Sequence, residues 1–535
     1  MRTAERVIAL LADSGIQRIY GWAGEGSCLD LIEAARARDI ALVAPRQQAS
    51  AVIMAGTEGD LLGRPGVCVA PGEPWACLAG LAHAASGRNP AIFLFSRSSR
   101  GIRAESEDRF EQALRAIAKG GAEVATPRTE RLVQWAWKKA NLPPKGPVYL
   151  GISPERSSRL ARGAAPPLAS ETPASPSPGG IRRIARLLAG AGRAVVLAGM
   201  GCRDPLAAAA LLELTEHLGA PVFTTRRAKG AFPEDHALSA GVFLGSRWEQ
   251  QLLARADCVL TVGLDPTGVI PERWRSDLPV FSIQEYGGRS PYRARAEIWG
   301  NIAQALDRLR QELPPSGEWR LAEWAQRAAR FKERSRALLA NGTRNGLGPD
   351  RVVAMARSVF PRHTLACVDS GAHALAVAAF WEAYDPKGYL APVEGGTGSA
   401  LPAAIAAKLT LPDRPVIAFV GERGLFASLG DLATAGELGL PIVAVVFLDE
   451  PLSNVPALQE QRYYAPVGGA AGPILLVGLA EQLGVLGIQV DTEAELQQAL
   501  QDAVAAPRPA VIGVRINPHG YRRVFEALAG AHATP

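Results

Sequence analysis

The chain has 535 residues, and this length predicts roughly three or four domains, because a single hydrophobic core does not grow to that size. Apolar residues make up 48% and charged residues 21%, and the formal net charge of +6 includes no basic run that would bind nucleic acid. No stretch of about eighteen apolar residues and no signal-peptide pattern occurs, so we expect a cytoplasmic protein without a membrane partner.

In chain order, an amphipathic helix is predicted in MRTAERVIALLADSGI, and short apolar runs then alternate with helical stretches in three blocks. The runs are QRIYGWAG, GVCVAPG, PAIFLFS and GPVYLGISP, then AVVLAGMG, PVFTT, CVLTVG and LPVFSIQ, and finally LACVDSG, PVIAFVG, PIVAVVFLD and PAVIGVRI. Such runs are typical of strands buried on both faces, and their alternation with helices indicates parallel sheets. The predicted fold class is α/β, with three consecutive doubly wound parallel-sheet domains.

Two interruptions set the predicted domain boundaries. Residues 161–180 are rich in Pro, Ser, Ala and Gly, which is typical of a linker. Residues 316–345 are a charged helical stretch that runs into the break LANGTRNGLGPD. We therefore predict domains over 1–160, 181–315 and 346–535.

Ligands of parallel α/β sheets bind beyond the carboxyl ends of the strands. Four segments follow predicted strands directly and are the places where we expect chemistry: Gly21–Gly26, Pro71–Cys77, Gly421–Gly424 and Asp449–Ser453.

Several longer sequence segments together resemble those of a known protein family. They are YGWAGEGSCLDLIEA, APRQQASAVIMAGTEG and GPVYLGISP in the first block, LAGAGRAVVLAGMG, GAPVFTTRRAKGAFPEDHALSAG and ADCVLTVG in the second, and VDSGAH, GTGSALPAAIAAKL, DRPVIAFVGERG and ELGLPIVAVVFLD in the third. In this order they resemble the thiamine-diphosphate-dependent superfamily of pyruvate decarboxylase, benzoylformate decarboxylase and acetolactate synthase. The resemblance covers almost the whole chain and implies a pyrimidine-binding, a central Rossmann-like and a diphosphate-binding domain.

The resemblance implies a homodimer or tetramer with the active site at the interface of two copies. There, thiamine diphosphate is anchored through Mg²⁺, and a Glu of the first domain hydrogen-bonds the aminopyrimidine. The implied reaction is decarboxylation or carboligation of 2-oxo acids or aldehydes, with the cofactor as electron sink.

The position of the activating Glu is occupied by Gln48, beside Gln47. An amide can donate or accept a hydrogen bond, but it cannot stabilise a protonated pyrimidine as a carboxylate does. Loss of such a partner typically costs about 10²–10⁴ in rate. One branch, resembling glyoxylate carboligase, also lacks this Glu and remains active, so Gln48 predicts atypical activation.

The metal-binding motif of the family is also altered. Its first part reads Gly421-Glu422-Arg423-Gly424, and its two Asn positions fall on Leu448 and Asp449. Glu422 and Asp449 can offer oxygen ligands to Mg²⁺, although Glu is one methylene longer than Asp. The Arg423 guanidinium can pair with phosphate, or it can form a local ion pair with Glu422 that binds nothing.

Further positions of the resemblance point to the same site. The bulky apolar residue that bends thiamine maps to Thr397, followed by Gly398, and the SGPG turn maps to 71–74, which contains Gly72. His373, in DSGAH, falls where many members carry a polar active-site residue. For His373 a structural role at a strand end is an equally good interpretation.

Three functions remain open from the sequence. The first is a thiamine-diphosphate-dependent lyase or carboligase, which we favour, and the second is an inactive paralogue kept for ligand binding, regulation or assembly. The third is a flavin- or nucleotide-binding oxidoreductase, with FAD in the central domain. It would use the GMG turn 199–201 and the cations Arg226, Arg227 and Lys229, which can equally be a surface basic cluster.

Overall fold

The computed structural model describes residues 1–535 with the exception of 73, 98–103, 162–166, 170–172, 267–276, 288–292, 315–345, 392–395, 449–474, 518–519, 522 and 525–535. The chain divides into two compact units: Met1–Thr172 with Val393–Asp413 and Phe426–Leu440, and Pro173–Pro392 with Arg414–Leu425 and Pro441–Pro535. The domain boundaries remain predictions, because much of both proposed linkers lies outside the described residues.

The first sheet has six parallel strands in the order β2-β1-β3-β4-β6-β5. They are β1 Arg18–Gly21, β2 Ala41–Val43, β3 Gly66–Ala70, β4 Ala91–Ser96, β5 Gly120–Glu123 and β6 Pro147–Ile152. The helices are α1 Thr3–Asp13, α2 Ser27–Arg36, α3 Gln48–Leu62, α4 Cys77–Gly87, α5 Ala104–Ile117, α6 Thr129–Asn141 and α7 Pro154–Ser157. Helix α3 is apolar on most sides, because α4 and another helix of the same unit, Ala400–Thr410, both pack against it.

The second sheet repeats this architecture with the order β12-β11-β10-β7-β8-β9. Its strands are β7 Ala194–Ala198, β8 Val222–Thr224, β9 Ser239–Val242, β10 Cys258–Val262, β11 Val280–Gln284 and β12 Ala296–Trp299. The helices are α8 Pro178–Ala189, α9 Pro205–Leu218, α10 Arg247–Leu253 and α11 Ile302–Glu312. Helix α9 begins where Asp204 accepts hydrogen bonds from two backbone amides and Pro205 fixes the first helical residue.

The third sheet has the order β14-β13-β15-β16-β18-β17 and is also parallel. Its strands are β13 Leu365–Val368, β14 Tyr389–Leu390, β15 Val416–Gly421, β16 Val443–Leu448, β17 Leu486–Val490 and β18 Ala510–Arg515. The helices are α12 Pro349–Val359, α13 His373–Phe380, α14 Ala400–Thr410, α15 Glu422–Ala427, α16 Leu429–Glu437, α17 Leu476–Gln482 and α18 Glu493–Ala505. Helices α14 and α16 belong to the same unit as the first sheet.

Three six-stranded parallel sheets with helical crossovers confirm the predicted fold class. The central strands are buried along almost their whole length, as their apolar sequences require, and apolar cores pack against each sheet, with a separate cluster on each face of the second. Among the described helices, none combines the length and the apolar character needed to cross a bilayer.

The strand order places a topological switch point in each sheet. In the first sheet the chain passes from β1 to β2 on one side, and β3 then pairs on the other side of β1. In the third sheet β14 and β15 flank β13 in the same way. Ligands of doubly wound sheets bind in the crevice at such points, beyond the carboxyl ends of the strands.

Candidate functional site

Gln48 is the first residue of α3 and is half-buried. The segment that leads into it is fixed to the loop after β1, because Trp22 Nε1 donates to the carbonyl oxygen of Pro45 at 2.8 Å. The Cys77 thiol donates to the carbonyl oxygen of Gln48 at 3.6 Å, and burial raises the pKa of Cys77 to about 12. The first turn of α3 contains no acidic residue, so it offers no carboxylate to a cofactor.

Gly72 lies in the turn after β3, at the switch point of the first sheet. Its φ of +57° is in the left-handed region, where glycine is favoured over residues with a side chain. Gln48 and Gly72 both belong to the first unit. Thr397 and Gly398 belong to it as well, in the turn before α14, where Thr397 is exposed and Gly398 is buried.

The turn after β15 is held against the end of β13. Asp369 follows β13 and is fully buried. One of its carboxylate oxygens accepts a hydrogen bond from the backbone amide of Ser370 at 3.0 Å. A Cβ added to Gly424 would stand 1.8 Å from the other oxygen of Asp369. Only glycine therefore allows this turn to approach the buried carboxylate. Asp369 is a candidate site residue that the sequence analysis did not single out.

His373 is the first residue of α13 and is buried at the same switch point. Its ring stacks on Phe447 of β16 at a centroid distance of 5.1 Å and faces Gly421 at the end of β15. Burial lowers the pKa of His373 to about 4, although a hydrogen bond to the backbone of Phe419 opposes this shift. That bond favours hydrogen on Nδ1, and Nε2 has no partner among the described residues.

The predicted metal ligands are only partly described. Glu422 is half-buried at the start of α15 and Arg423 is exposed beside it, whereas Asp449 lies outside the described residues. Within the described ranges, no group of three His, Cys, Asp or Glu side chains is arranged to hold a metal ion. The Mg²⁺ site therefore remains a prediction.

The cations of the central domain do not form a surface cluster. Lys229 is 1% exposed, and its Nζ lies 2.6 Å from both carboxylate oxygens of Glu234. Arg227 is also buried, so the interpretation as a surface basic cluster is wrong for two of the three residues. At the GMG turn, the amides of Gly199 and Gly201 already donate to the carbonyl oxygens of Val262 and Gly263. These two amides are therefore engaged within the protein.

The structure brings together His373, Gly421 and Gly424 with the unforeseen Asp369 at the end of the third sheet. Asp369 directly follows the apolar run LACV, and a carboxylate at that point of a parallel strand was the signal that could have identified it.

Three family profiles match the chain in order. They are the N-terminal TPP binding domain of thiamine pyrophosphate enzymes over residues 1–118, the central domain over 181–309, and the C-terminal TPP binding domain over 369–514. Together they cover most of the chain and at least part of each of the three sheets.

Several relatives resemble the chain over most of its length. The acetolactate synthase of Bacillus subtilis is 25% identical over 96% of this chain and 93% of its own. A probable acetolactate synthase large subunit of Methanocaldococcus jannaschii is 26% identical over 97% and 92%. A probable 2-ketoarginine decarboxylase of Pseudomonas aeruginosa is 27% identical over 85% and 83%.

A solved structure resembles the fold. The thiamine diphosphate-dependent 4-hydroxybenzoylformate decarboxylase of Rhodococcus jostii RHA1 superimposes with a TM-score of 0.79 over 97% of this chain and 99% of that one. The sequences are 21% identical, so this likeness concerns the fold alone.

Proposed function

The chain belongs to the family of thiamine pyrophosphate enzymes, and we propose that it is a thiamine-diphosphate-dependent lyase or carboligase of the acetolactate synthase type. Its substrates in this proposal are 2-oxo acids or aldehydes. The observation that carries it is the grouping of the buried His373 and Asp369 with Gly421 and Gly424 at the switch point of the diphosphate-binding-type domain. Relatives named as acetolactate synthases and as a 2-oxo acid decarboxylase support the substrate class.

The described residues fit the implied cofactor at this point. His373 Nε2 is a buried acceptor without a partner in the described part of the chain, and the same ring lies against Gly421, where a Cβ would stand 3.2 Å from its Cε1. A magnesium diphosphate brings donors to such an acceptor, because Mg²⁺ keeps several of its water molecules when it binds. The residues proposed to hold the cofactor are Gly72, Thr397, Gly398, Gly421, Arg423 and Gly424, with Glu422 and Asp449 for Mg²⁺.

When bound, thiamine diphosphate supplies the electron sink for breaking or forming a bond next to a carbonyl group. The protein's own contribution begins with Gln48, whose amide can orient a partner but cannot exchange a proton with it at neutral pH. His373 is neutral at pH 7, since its pKa is about 4, and it can accept a hydrogen bond or a proton at Nε2. Asp369 is a positioning residue, because it lies against Gly424 and fixes the turn.

The proposal includes the assembly and its place in the cell. A homodimer or tetramer in the cytoplasm would place the site where two copies meet. The support for this is the family resemblance, in which the pyrimidine-binding domain of one copy faces the diphosphate-binding domain of another.

A second function is favoured by one specific observation. The first turn of α3 has an amide at Gln48 and no acidic residue, which is what a catalytically inactive paralogue would tolerate. Such a protein would bind the cofactor or a related ligand for regulation or assembly. Saturable cofactor binding without turnover of any 2-oxo acid or aldehyde would favour this function over the enzyme.

The test is calorimetric titration of thiamine diphosphate with Mg²⁺ into the wild type and the Glu422→Ala variant. We expect saturable binding in the wild type and binding weaker by about tenfold or more in the variant, because a metal ligand is lost. Glu312→Ala, which removes an exposed carboxylate at the end of α11, is the matched control and should bind as the wild type does. Absence of binding to the wild type would contradict the proposed function.

A further inference from the structure

A buried carboxylate lies against the first turn of α3, the turn that carries Gln48. Asp431 of α16 is fully buried, and its Oδ2 accepts the Ser50 hydroxyl at 2.7 Å. Its Oδ1 has no hydrogen-bond partner within the described part of the chain. An ionised carboxylate with one unsatisfied oxygen is costly to bury, so the neutral acid suits this environment better.

Residues on both sides of Gln48 contact segment 427–434. On one side Gln47 Nε2 donates to the carbonyl oxygen of Ala427 at 2.6 Å, and on the other side Ser50 donates to Asp431. Arg46 adds a bond from its backbone amide to Thr434 Oγ1 at 3.3 Å. It also forms an exposed ion pair with Glu437. The position of Gln48 therefore depends on how α3 and α16 meet, and both helices belong to the first unit.

Within the described part of the chain, no charged group shifts the pKa of Asp431. Besides Asp431 itself, the ionisable groups on the helices α3, α4, α14 and α16 and on the segment before α3 are Arg46, Glu58, Asp60, Cys77, His83, Lys408 and Glu437. None of them shifts the pKa of Asp431. Arg46 and Glu437 pair with each other, Glu58 is bonded by Arg18 and Tyr20, and Lys408 donates to the carbonyl oxygen of Pro412. Burial raises the pKa of Asp431 to about 7, and only the Ser50 hydrogen bond opposes the shift.

We propose that Asp431 is a positioning residue for Gln48. In its protonated form it holds the first turn of α3 through Ser50. Loss of the proton leaves a buried charge with one unsatisfied oxygen, and the hydration that this charge gains favours opening of the turn. The neutral carboxylic acid can donate a hydrogen bond from Oδ2 to Ser50 Oγ, or it can accept one from the Ser50 hydroxyl. The contact can therefore form with either group as the donor. The inference rests on the proposed function only for the role that it gives to Gln48. The contact between Ser50 and Asp431, and its dependence on the proton, need no cofactor.

The sign of the pH dependence follows from the direction of the shift. A carboxyl whose pKa is higher in the folded state stabilises the closed turn fully below its ordinary value of 3.8, and that stabilisation is lost as pH rises through about 7. Opening of the turn should therefore become easier as the pH rises, by about tenfold between pH 6 and pH 8.

The test is hydrogen exchange of the backbone amides in segment 46–52 of the cofactor-free protein. After correction for the intrinsic exchange rate, we expect protection of this segment in the wild type to fall about tenfold from pH 6 to pH 8. Asp431→Asn should keep its protection over this range, because an amide preserves the Ser50 contact without ionising. Ser50→Ala should lower protection already at pH 6, and Asp413→Asn, at an exposed position, should behave as the wild type.

A second readout separates positioning from a purely structural role. In the cofactor-loaded protein, turnover of the wild type should decline above pH 7, and Asp431→Asn should remove this decline. Wild-type protection that does not change between pH 6 and pH 8 would overturn the inference. So would a decline in turnover that persists in the Asn variant. If the wild type binds no cofactor, the proposed function fails, and the exchange experiment still decides whether Asp431 governs the turn.

Discussion

His373 illustrates how burial decides the chemistry of a single residue. Its imidazole is 2% exposed and stacked on Phe447, so the charged form loses its hydration without gaining a carboxylate partner. The pKa of His373 is lowered from 6.5 to about 4 by this burial. A histidine that stays neutral at physiological pH can receive a proton or a hydrogen bond, whereas a charged histidine can only donate.

We predict that His373 makes the stability of the protein fall in acid. A group whose pKa is depressed on folding contributes stability that is present above its unfolded pKa of 6.5 and is lost as pH falls towards 4. Relative to His373→Gln, the wild type should lose about 2–3 kcal/mol of unfolding free energy between pH 7 and pH 4.5. Chemical denaturation at both pH values measures the loss, with the exposed His363→Gln as control. An equal slope in wild type and variant would contradict the prediction.

At the scale of the elements, the sequence identifies interior strands and misses edge strands. The twelve apolar runs correspond to the four inner strands of each sheet, for example β15 with its continuous burial. The six strands without such runs are β2, β5, β9, β12, β14 and β17, and each forms an edge of its sheet. An edge strand is covered on fewer sides, so it is shorter or more polar and lacks the apolar signal.

The residues of the candidate site also differ in whether the sequence alone could identify them. Gln48, His373 and the Gly421–Gly424 turn could be found because they follow strands or lie within recognisable strings. The contact between Ser50 and Asp431 joins residues that are 381 positions apart, and nothing local indicates which carboxylate becomes buried. Asp369 had a local signal at the end of β13, but its approach to Gly424 depends on the pairing of two strands.

Position 424, in the first turn of α15, should not tolerate a side chain. In Gly424→Ala the new Cβ would lie 1.8 Å from a carboxylate oxygen of Asp369, so the turn or the carboxylate must move. We expect a loss of about 1–3 kcal/mol in unfolding free energy, as for other overpacked positions. Thiamine diphosphate binding should weaken as well. Urea denaturation and calorimetry measure the two effects.

The matched control for this prediction is Gly478→Ala in α17. A Cβ there meets nothing within 4 Å, so alanine should be neutral or stabilise the helix by about 0.5–1 kcal/mol. A Gly424→Ala variant as stable as the control would show that Asp369 does not restrain the turn.

At the scale of the whole molecule, a buried ion pair joins parts of the second unit that belong to different sheets. Lys229 follows β8, and Glu234 accepts both its ammonium and the backbone amide of Ala383 at 2.8 Å. Ala383 lies between α13 and β14 of the third sheet. Asp235, next to Glu234, also pairs with Arg362 at 2.7 Å on the exposed side. The second and third sheets are therefore linked through one polar turn.

Removing Lys229 alone should be costly, because the Glu234 carboxylate then stays buried without the ammonium that balances its charge. We expect Lys229→Met to lower the unfolding free energy by about 3–5 kcal/mol. The double variant Lys229→Met/Glu234→Gln should recover at least half of that loss, since Gln still accepts the Ala383 amide and carries no charge. Arg36→Met, which breaks an exposed pair with Glu33, should leave the unfolding free energy nearly unchanged, because water screens that pair. Guanidinium denaturation of the four proteins measures these differences. A double variant no more stable than Lys229→Met would mean that lost packing, rather than the uncompensated Glu234 charge, sets the cost.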